Sequence, residues 1–344
     1  SFILDSGNSF SINRSTNTPK ASGTFGGAAI SNGYSPVTNT QIEAKWDYNG
    51  TMLGISTGSP YLTDLTYKSG ILTNAGAKVT SSETAIVASR GLSDGFKVFG
   101  GIRLNQYKGT INKPYLGGVG NPTFSVAGGY QFHLDTGTST GFAIGAAYEV
   151  PQIMLRASIQ YNSEIKHSSA KITETFGGAT TASSPDDIIA PSSMIIKLRS
   201  ALSPRMLAFA NWRSSQYKKF KIEGPVHTAA GQGEIYNPES GTDYALGIAL
   251  KVNDQLNVLV GTTKSQSTDT GGLANALAPF KGSSSNFIGA SFKLNETVEL
   301  NGGYSLVSFG DDNAGVPLST GVGGAASFTN NKGSRLSIGT KISF

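Results

Sequence analysis

Cysteine is absent from the 344-residue sequence, and only three histidines are present. The histidines, His133, His167 and His227, are far apart in the chain. Because transition metals in proteins favour thiolate and imidazole ligands in clusters, we expect no such metal site. A cysteine-free chain also suits an oxidising, exported location. The chain starts with SFILDSG and no Met, as expected of a processed mature protein.

Long apolar runs and charged residues are also scarce. No segment approaches the roughly 18 consecutive apolar residues that indicate a transmembrane helix. Charged residues make up 14% of the chain, and the net charge of +5 is spread rather than clustered, so we expect no nucleic-acid partner. The mean hydropathy is −0.13, and glycine occurs 44 times. Two classes remain, a soluble all-β protein and a membrane β-barrel.

Apolar and polar side chains alternate strictly in the last ten residues, RLSIGTKISF. Leu336, Ile338, Ile342 and the terminal Phe344 share one face, while small and charged residues occupy the other. Period two indicates a strand with one apolar and one wet face. An aromatic residue that ends the apolar face is typical of a strand whose outside is lipid and whose end lies in an aromatic girdle.

The same alternation predicts fourteen strands. They cover 8–14, 40–48, 51–58, 80–90, 96–107, 139–149, 152–166, 192–201, 206–219, 242–252, 256–266, 285–293, 297–308 and 334–344. Six short turns alternate with seven long loops, which places both termini on the short-turn side. This layout is typical of an outer-membrane protein, so we predict an all-β fold, a 14-stranded antiparallel transmembrane β-barrel with periplasmic turns and extracellular loops.

One further strand-like segment, FSVAGGYQFHLD (124–135), is assigned to a long loop. Counting it in the barrel would give fifteen strands and would put the termini on opposite sides, whereas bacterial barrels have even counts. The alternative to a membrane barrel is a soluble β-sandwich or propeller. A sandwich usually has short loops at both ends, and the propeller period of roughly 40 residues is not found.

Two stretches carry a family resemblance. They are GFAIGAAYEVPQIMLRASIQYNSEIKH (141–167) and MLAFANWRSSQYKKFKI (206–222), supported by the closing strands and the terminal Phe. Over residues 80–344 the chain resembles the FadL family of outer-membrane transporters for long-chain fatty acids and other hydrophobic compounds. The resemblance implies a monomeric barrel, a plug inside the lumen, a kinked third strand that opens a lateral gap, and ligand capture by the extracellular loops.

The resemblance gives roles to two short segments. Residues 1–7 form a short N-terminal segment, in which Phe2, Ile3 and Leu4 are interpreted as a minimal plug, with a frayed terminus as the alternative. Residues 8–344 form the barrel. In LGISTGSPY (53–61), the expected lateral gate is Gly54, Gly58 and Pro60, because proline lacks a ladder donor and glycine permits a bulge. The alternative is that Gly58 and Pro60 merely end the strand.

Candidate substrate-binding residues lie in two loops and in the lumen. The loop candidates, which would form a hydrophobic landing patch, are Tyr115, Leu116, Phe124, Phe132, Leu277 and Phe280. The alternative is that they pack the loops together. Inside the barrel, Arg103 and Lys197 are the preferred anchors for a carboxylate, with pairing to lumen acids as the alternative.

These observations favour passive uptake of hydrophobic small molecules, with outer-membrane lipid and lipopolysaccharide as further partners. The alternative is an aqueous porin, and the third hypothesis is an outer-membrane hydrolase. GISTG (54–58) formally matches G-x-S-x-G, but no helix is predicted after it and no partner Ser or Asp stands at a suitable spacing. We therefore expect no enzyme, no cofactor and no metal, and GDDNAG (310–315) is interpreted as a solvated turn rather than a calcium site.

Overall fold

Fourteen antiparallel strands close into a barrel in the computed structural model, which describes residues 2–114, 129–183, 187–220, 222–229, 235, 240–267, 274–316 and 324–344. The strands, numbered β1 to β14, are Ser9–Pro19, Val37–Tyr48, Thr51–Gly58, Gly76–Ser93, Phe96–Lys113, Ser139–Val150, Leu155–Asn162, Ser192–Ser203, Met206–Gln216, Gly241–Lys251, Leu256–Ser267, Ser283–Lys293, Val298–Phe309 and Lys332–Ser343. Each strand pairs with the next, and β1 pairs with β14 along its whole length, from Ser9 opposite Ser343 to Pro19 opposite Gly333. The predicted fold and strand count are confirmed.

Several strand ends differ from the prediction: β1, β4 and β5 extend four to six residues further at the long-loop end, whereas β7 and β9 end earlier. The extra segment behaves as predicted. The predicted strand 152–166 leaves the barrel after Asn162, and Ile165–His167 pairs instead with Ile188–Ala190. After β9, residues Tyr217–Lys219 form a 3₁₀ turn. Alternation overran the end of β7 because it continues in a loop strand, Ile165–His167, that also has two faces. Tyr130–Asp135 lies outside the barrel closure, where it extends the top of β5; residues 124–128 lie outside the described part of the chain.

The outer surface of the barrel is an apolar belt. Large outward side chains that are about half exposed include Ile102, Ile144, Ile196, Leu246, Val260, Ile288, Leu306 and Ile338. At the short-turn end the belt finishes in an aromatic girdle, in which the Phe96 and Tyr148 ring centroids are 4.8 Å apart with the rings tilted by 47°, and Tyr48 and Phe344 are exposed. Such a surface is stable in lipid and not in water. Among the described residues, no helix has both the length and the apolarity needed to cross a membrane.

The buried core lies in a cap over the long-loop end rather than in the barrel wall. One part is a five-stranded sheet of Gly23–Phe25, Ala28–Ile30, Ala274–Asn275, Asp312–Val316 and Gly324–Phe328. The other contains Tyr130–Asp135, the hairpin Lys171–Phe176 and Ala179–Ser183, and the short helix Pro225–Ala229. Cluster A, which includes Tyr107, Phe132 and Ile172, and cluster B, which includes Leu65, Tyr67 and Phe328, are buried beneath these parts.

Inward-facing phenylalanine rings lie flat on glycines of the neighbouring strand. An ideal Cβ added to Gly145 would lie 2.7 Å from Phe99 Cε1 and 2.5 Å from the Ile159 carbonyl oxygen. Phe209 covers Gly247 in the same way. A side chain at these positions would displace the ring or the backbone, so the glycines are required by packing rather than by a special backbone angle.

We expect Gly145→Ala to destabilise the barrel by about 1–3 kcal/mol, because overpacking a close contact costs that much. The matched control is Gly302→Ala, since the nearest heavy atom to a Cβ there, the Ser337 carbonyl oxygen, is 3.7 Å away. Denaturant titration of the heat-modifiable folded band in detergent micelles measures both. Equal midpoints for the two variants would contradict the packing account.

Candidate functional site

A cavity of about 560 Å³ lies at the long-loop end, between cluster A and cluster B. Strand residues Ala77, Val79, Tyr107 and Ile111 line it from the barrel side. Aromatic residues contribute much of the rest; those in the lining are Tyr34, Tyr61, Tyr107, Tyr217, Phe220 and Phe280. The volume and the predominantly apolar lining are typical of a small-molecule site.

Only some of the predicted loop residues line this cavity. Leu277 and Phe280 do, and the Phe280 ring is stacked between Tyr34 at 5.8 Å and Phe309 at 4.2 Å. Phe132 is instead buried within cluster A, where it packs the cap. The other three predicted residues, Tyr115, Leu116 and Phe124, lie outside the described part of the chain.

Neither predicted carboxylate anchor lines the cavity. Arg103 forms a bidentate ion pair with Glu83, at 3.1 Å for Nε and 2.7 Å for Nη2, and its Nη1 donates to the Ser163 carbonyl at 3.2 Å. Lys197 lines a separate cavity of about 370 Å³, nearer the short-turn end, together with Asp5. Because lumen acids and carbonyls occupy Arg103, the alternative interpretation, internal pairing, holds for this residue.

The charged side chain that does line the cavity is acidic. Asp243 accepts a hydrogen bond of 2.6 Å from the Ser265 hydroxyl, and among the described lining residues there is no lysine or arginine. The prediction missed Asp243, although the alternation of β10 contains the signal. Tyr244 and Leu246 point outward, so Asp243 must point into the lumen.

The N-terminal segment lies inside the lumen near the short-turn end. Phe2–Leu4 forms one 3₁₀ turn, and Ile3 and Leu4 are each 1% exposed in a cluster with Phe99. Gly54 faces this turn, because an added Cβ would lie 2.7 Å from Ile3 Cδ1. Gly54 therefore makes room for the N-terminal segment, whereas the prediction placed it in the strand break.

Polar groups of the lumen wall hold this segment. The Ser89 hydroxyl donates to the Ile3 carbonyl at 2.9 Å, and Lys97 Nζ donates to the Leu4 carbonyl at 3.1 Å. Arg156 pairs with Asp5 at 2.7 Å, and Lys45 donates to the Asp5 carbonyl. These contacts come from four barrel strands, so the segment spans the lumen rather than following one wall.

The third strand is interrupted at its long-loop end. β3 ends at Gly58, opposite Glu83 of β4, and pairing with β4 resumes at Leu62, opposite Thr80. Three residues, 59–61, thus face two, which is a β-bulge around Pro60. The Ser81 hydroxyl replaces part of the missing backbone pairing. It accepts a hydrogen bond from the Tyr61 amide at 2.8 Å and donates one to the Tyr61 carbonyl at 3.0 Å.

The β2 side of the same interruption has a gap in the backbone ladder. The last paired residues are Ile42 and Thr57. Beyond them, in the described residues, the Asn39 side chain accepts from the Ser59 amide at 2.9 Å, and backbone bonding resumes where the Ser35 amide donates to Asp64. We call this gap, residues 37–41 facing 58–63, the seam. The predicted irregularity at Gly58 and Pro60 is present, and its role as a gate stays a prediction.

A second cavity, of about 280 Å³, lies behind the seam. Val37 from β2 and Leu62 from beyond the bulge both line it. It shares Tyr34, Leu62, Thr63 and Phe280 with the larger cavity. The two spaces are therefore neighbours separated by the stacked Tyr34 and Phe280 rings.

Two of the long-loop histidines, His167 and His227, are buried within the cap. His167 is fully buried with its ring edge against Tyr107 at 5.6 Å. The His227 amide donates to buried Glu174 at 3.0 Å, and the Tyr130 hydroxyl donates to the same carboxylate at 2.8 Å. Two causes raise the pKa of Tyr130 above its usual range. Burial is the larger, and the negative Glu174 carboxylate is the smaller.

The hydrolase motif has no catalytic context in the described residues. GISTG lies wholly within strand β3, and Ser56 is paired with Ala85 and Glu43 in the barrel wall. The nucleophile elbow requires a sharp turn from a strand into a helix, whereas β3 continues through a bulge into another strand.

The fold and the outward apolar belt define a 14-stranded transmembrane β-barrel with an apolar cavity at its long-loop end. It is similar to a Pseudomonas aeruginosa FadL homologue, with a TM-score of 0.74 and 13% identity over 98% of this chain and 90% of that one. The P. putida toluene transporter TodX gives 0.68 and 14% over 99% and 91%, and the Ralstonia pickettii toluene transporter TbuX gives 0.65 and 11% over 99% and 90%. No protein-family model and no curated protein matches the sequence. At these identities the likeness establishes the shared fold.

Proposed function

We propose that this barrel takes up neutral hydrophobic small molecules across the bacterial outer membrane. The solute enters the large cavity from the long-loop side, passes the Tyr34 and Phe280 rings, and leaves through the seam into the lipid. The observation that carries the proposal is the pair of adjoining cavities, one aromatic and one directly behind the break in the wall. Similar folds named as toluene transporters support this substrate class.

The proposed arrangement in the membrane follows the barrel layout. The long loops and cap face the outside of the cell, and the short turns and both chain termini face the periplasm, as a monomer. The belt of outward aliphatic side chains crosses the lipid, and the aromatic girdle around Phe96 and Tyr148 marks its periplasmic edge. The cap then presents the cavity to solutes that arrive from outside.

The charge of the cavity favours a neutral solute over a fatty acid. A carboxylate that entered would meet the Asp243 carboxylate. The described lining contains no lysine or arginine, and the nearest cation along the wall, Arg213, lies opposite Asp243 on β9. Arg103 is occupied by Glu83, below the cavity. Like charges in a site that excludes water repel strongly, whereas aromatic rings bind an uncharged apolar solute without such a cost.

Asp243→Asn should raise the affinity for a long-chain fatty acid about tenfold, because it removes one like charge, and should leave toluene binding unchanged. Asp254→Asn is the control, since the Asp254 side chain is 95% exposed in a turn. Displacement of a fluorescent apolar probe from the purified protein measures both ligands. Equal fatty-acid affinity in wild type and Asp243→Asn would contradict the neutral-solute proposal.

Cross-linking the seam tests the lateral exit. A Cβ on Gly58 would lie 3.8 Å from Gln41 Cα and 3.7 Å from Gln41 Cγ, so Gln41→Cys with Gly58→Cys suits a disulfide, and the natural chain has no cysteine to interfere. The control is Thr263→Cys with Ser285→Cys, whose native hydroxyls are 2.7 Å apart in the lumen wall between β11 and β12.

We expect the oxidised seam variant to slow toluene uptake into proteoliposomes several-fold and reduction to restore it. The oxidised control should transport at the wild-type rate. A seam variant that is fully oxidised and still transports normally would mean that the solute leaves by another route.

The N-terminal segment is proposed to plug the lumen, which separates this function from the porin alternative. Wild type should then show little single-channel conductance in a planar bilayer. Leu4→Asp should raise it several-fold, because a buried unpaired carboxylate would displace the segment. Ser6→Asp, which adds the same charge at an exposed position, is the control. A large, steady wild-type conductance would favour a porin.

A further inference from the structure

A row of four outward side chains crosses the wall at the long-loop end of β11, β12, β13 and β14. Lys264 is opposite Ser284, Ser284 is opposite Ser308, and Ser308 is opposite Lys332. All four are exposed. Neighbouring strands lie about 4.8 Å apart, so the two lysines stand roughly 14 Å apart with two hydroxyls between them. We call these four residues the lysine row.

The small serines leave a groove in the outer surface. Its volume is about 550 Å³, and its lining includes Lys264, Lys281, Ser284, Ser308 and Gly310. Lys264, Ser284 and Ser308 are outward residues of their strands, since they share a face with the belt residues Val260, Ile288 and Leu306.

The lysine row stands directly above the apolar belt. Two residues down each strand the outward side chains are Thr262, Asn286, Leu306 and Ser334, and four residues down they are Val260, Ile288, Tyr304 and Leu336. The second of these sets is about half exposed and belongs to the belt. The row thus lies at the level where lipid headgroups meet the hydrocarbon layer.

The charges of the lysine row also differ from those of three other lysines at this end, which have acidic partners. Lys78 pairs with Asp64 at 3.2 Å, Lys108 with Asp135 at 3.1 Å and Lys166 with Asp187 at 2.5 Å. Within the described residues, neither Lys264 nor Lys332 has an acidic group in ion-pair range. Lys264 and Lys332 therefore present two ammonium groups without acidic partners on the β11–β14 side of the rim.

We propose that the lysine row binds the phosphate groups of an outer-leaflet lipid, namely the phosphorylated disaccharide headgroup of lipid A. Ammonium groups and hydroxyls are donors to phosphate oxygens, and the acyl chains of the same molecule pack on the belt below. A lipid meets both halves of this surface, whereas a free phosphate meets the charged half alone. The proposal rests on the outer-membrane location proposed above.

The test is lipid A binding to the full-length protein in neutral detergent micelles, followed by native mass spectrometry. Lys264→Gln with Lys332→Gln should raise the Kd for bisphosphorylated lipid A about tenfold or more. The matched control, Lys78→Gln with Lys108→Gln, removes two rim lysines that already have acidic partners and should bind like wild type. Each variant is first checked for the heat-modifiable folded band.

Two further probes identify the source of the phosphate. Dephosphorylated lipid A should bind wild type about as weakly as bisphosphorylated lipid A binds the row variant, and millimolar inorganic phosphate should not compete with lipid A. Equal binding by both double variants, or no loss on dephosphorylation, would overturn the proposal. Effective competition by inorganic phosphate would overturn the assignment to a lipid.

Toluene uptake in phosphatidylcholine liposomes, which contain no lipid A, separates this proposal from the transport function. The row variant should transport there at the wild-type rate. If wild type fails to transport while the lysine-dependent lipid A binding persists, the uptake proposal alone is wrong. If transport is intact and the Lys264→Gln, Lys332→Gln variant binds lipid A like wild type, the lipid proposal alone is wrong.

Discussion

Closure of the backbone ladder is the constraint on which the rest of this structure depends. In lipid an unpaired amide or carbonyl group has no water to hydrogen-bond with, so it must pair within the protein. Fourteen strands therefore pair in a ring, and β1 pairs with β14 over eleven residue pairs. Outward side chains are then committed to lipid, and the apolar core that a soluble protein would place between sheets is found in the cap and around Ile3 and Leu4. A break in the ring is costly, which makes the seam between β2 and β3 informative. Side chains of Asn39 and Ser81 replace part of the missing backbone bonding there.

The lumen is divided into an apolar upper space and a polar lower one. The Arg103–Glu83 ion pair lies at the boundary, with the Tyr107 ring above it on the same inward face of β5. Below, Lys97, Glu149 and Arg156 satisfy one another and the carbonyls of the N-terminal segment. An apolar solute that descended would have to desolvate these charges, whereas movement toward the seam keeps it among rings and aliphatic groups. The polar lower lumen, which stabilises the N-terminal segment, therefore favours exit through the seam over descent toward the short-turn end.

Alternation was enough to predict the strand count and the inward and outward faces, because a period of two is a local property that one strand reveals alone. The break in the third strand was predicted from Gly58 and Pro60, and the plug role of Phe2, Ile3 and Leu4 from the family resemblance. The structure buries Ile3 and Leu4 in the lumen, and their role as a plug stays a prediction. The cavity was less predictable. Tyr34 and Phe280 stack although they belong to loops far apart in the chain, and no local pattern indicates that meeting. Arg103 was chosen for its charge, and its partner Glu83 lies on a neighbouring strand whose register the sequence does not reveal.

The two sides of the rim suit the two roles proposed for the wall. Next to the seam, the outward residues of β2 are Thr38 and Thr40, which are uncharged, and the nearby Lys78 is neutralised by Asp64. Arg14 of β1 is exposed opposite Thr40, and a neutral solute that leaves at the seam is neither repelled nor held by this charge. Lys264 and Lys332 lie on β11 and β14, so a phosphorylated lipid bound to them would lie beside the seam and not across it. The proposed lipid site and the proposed exit therefore occupy different strands, so a lipid bound to the lysine row would not block a solute that leaves through the seam.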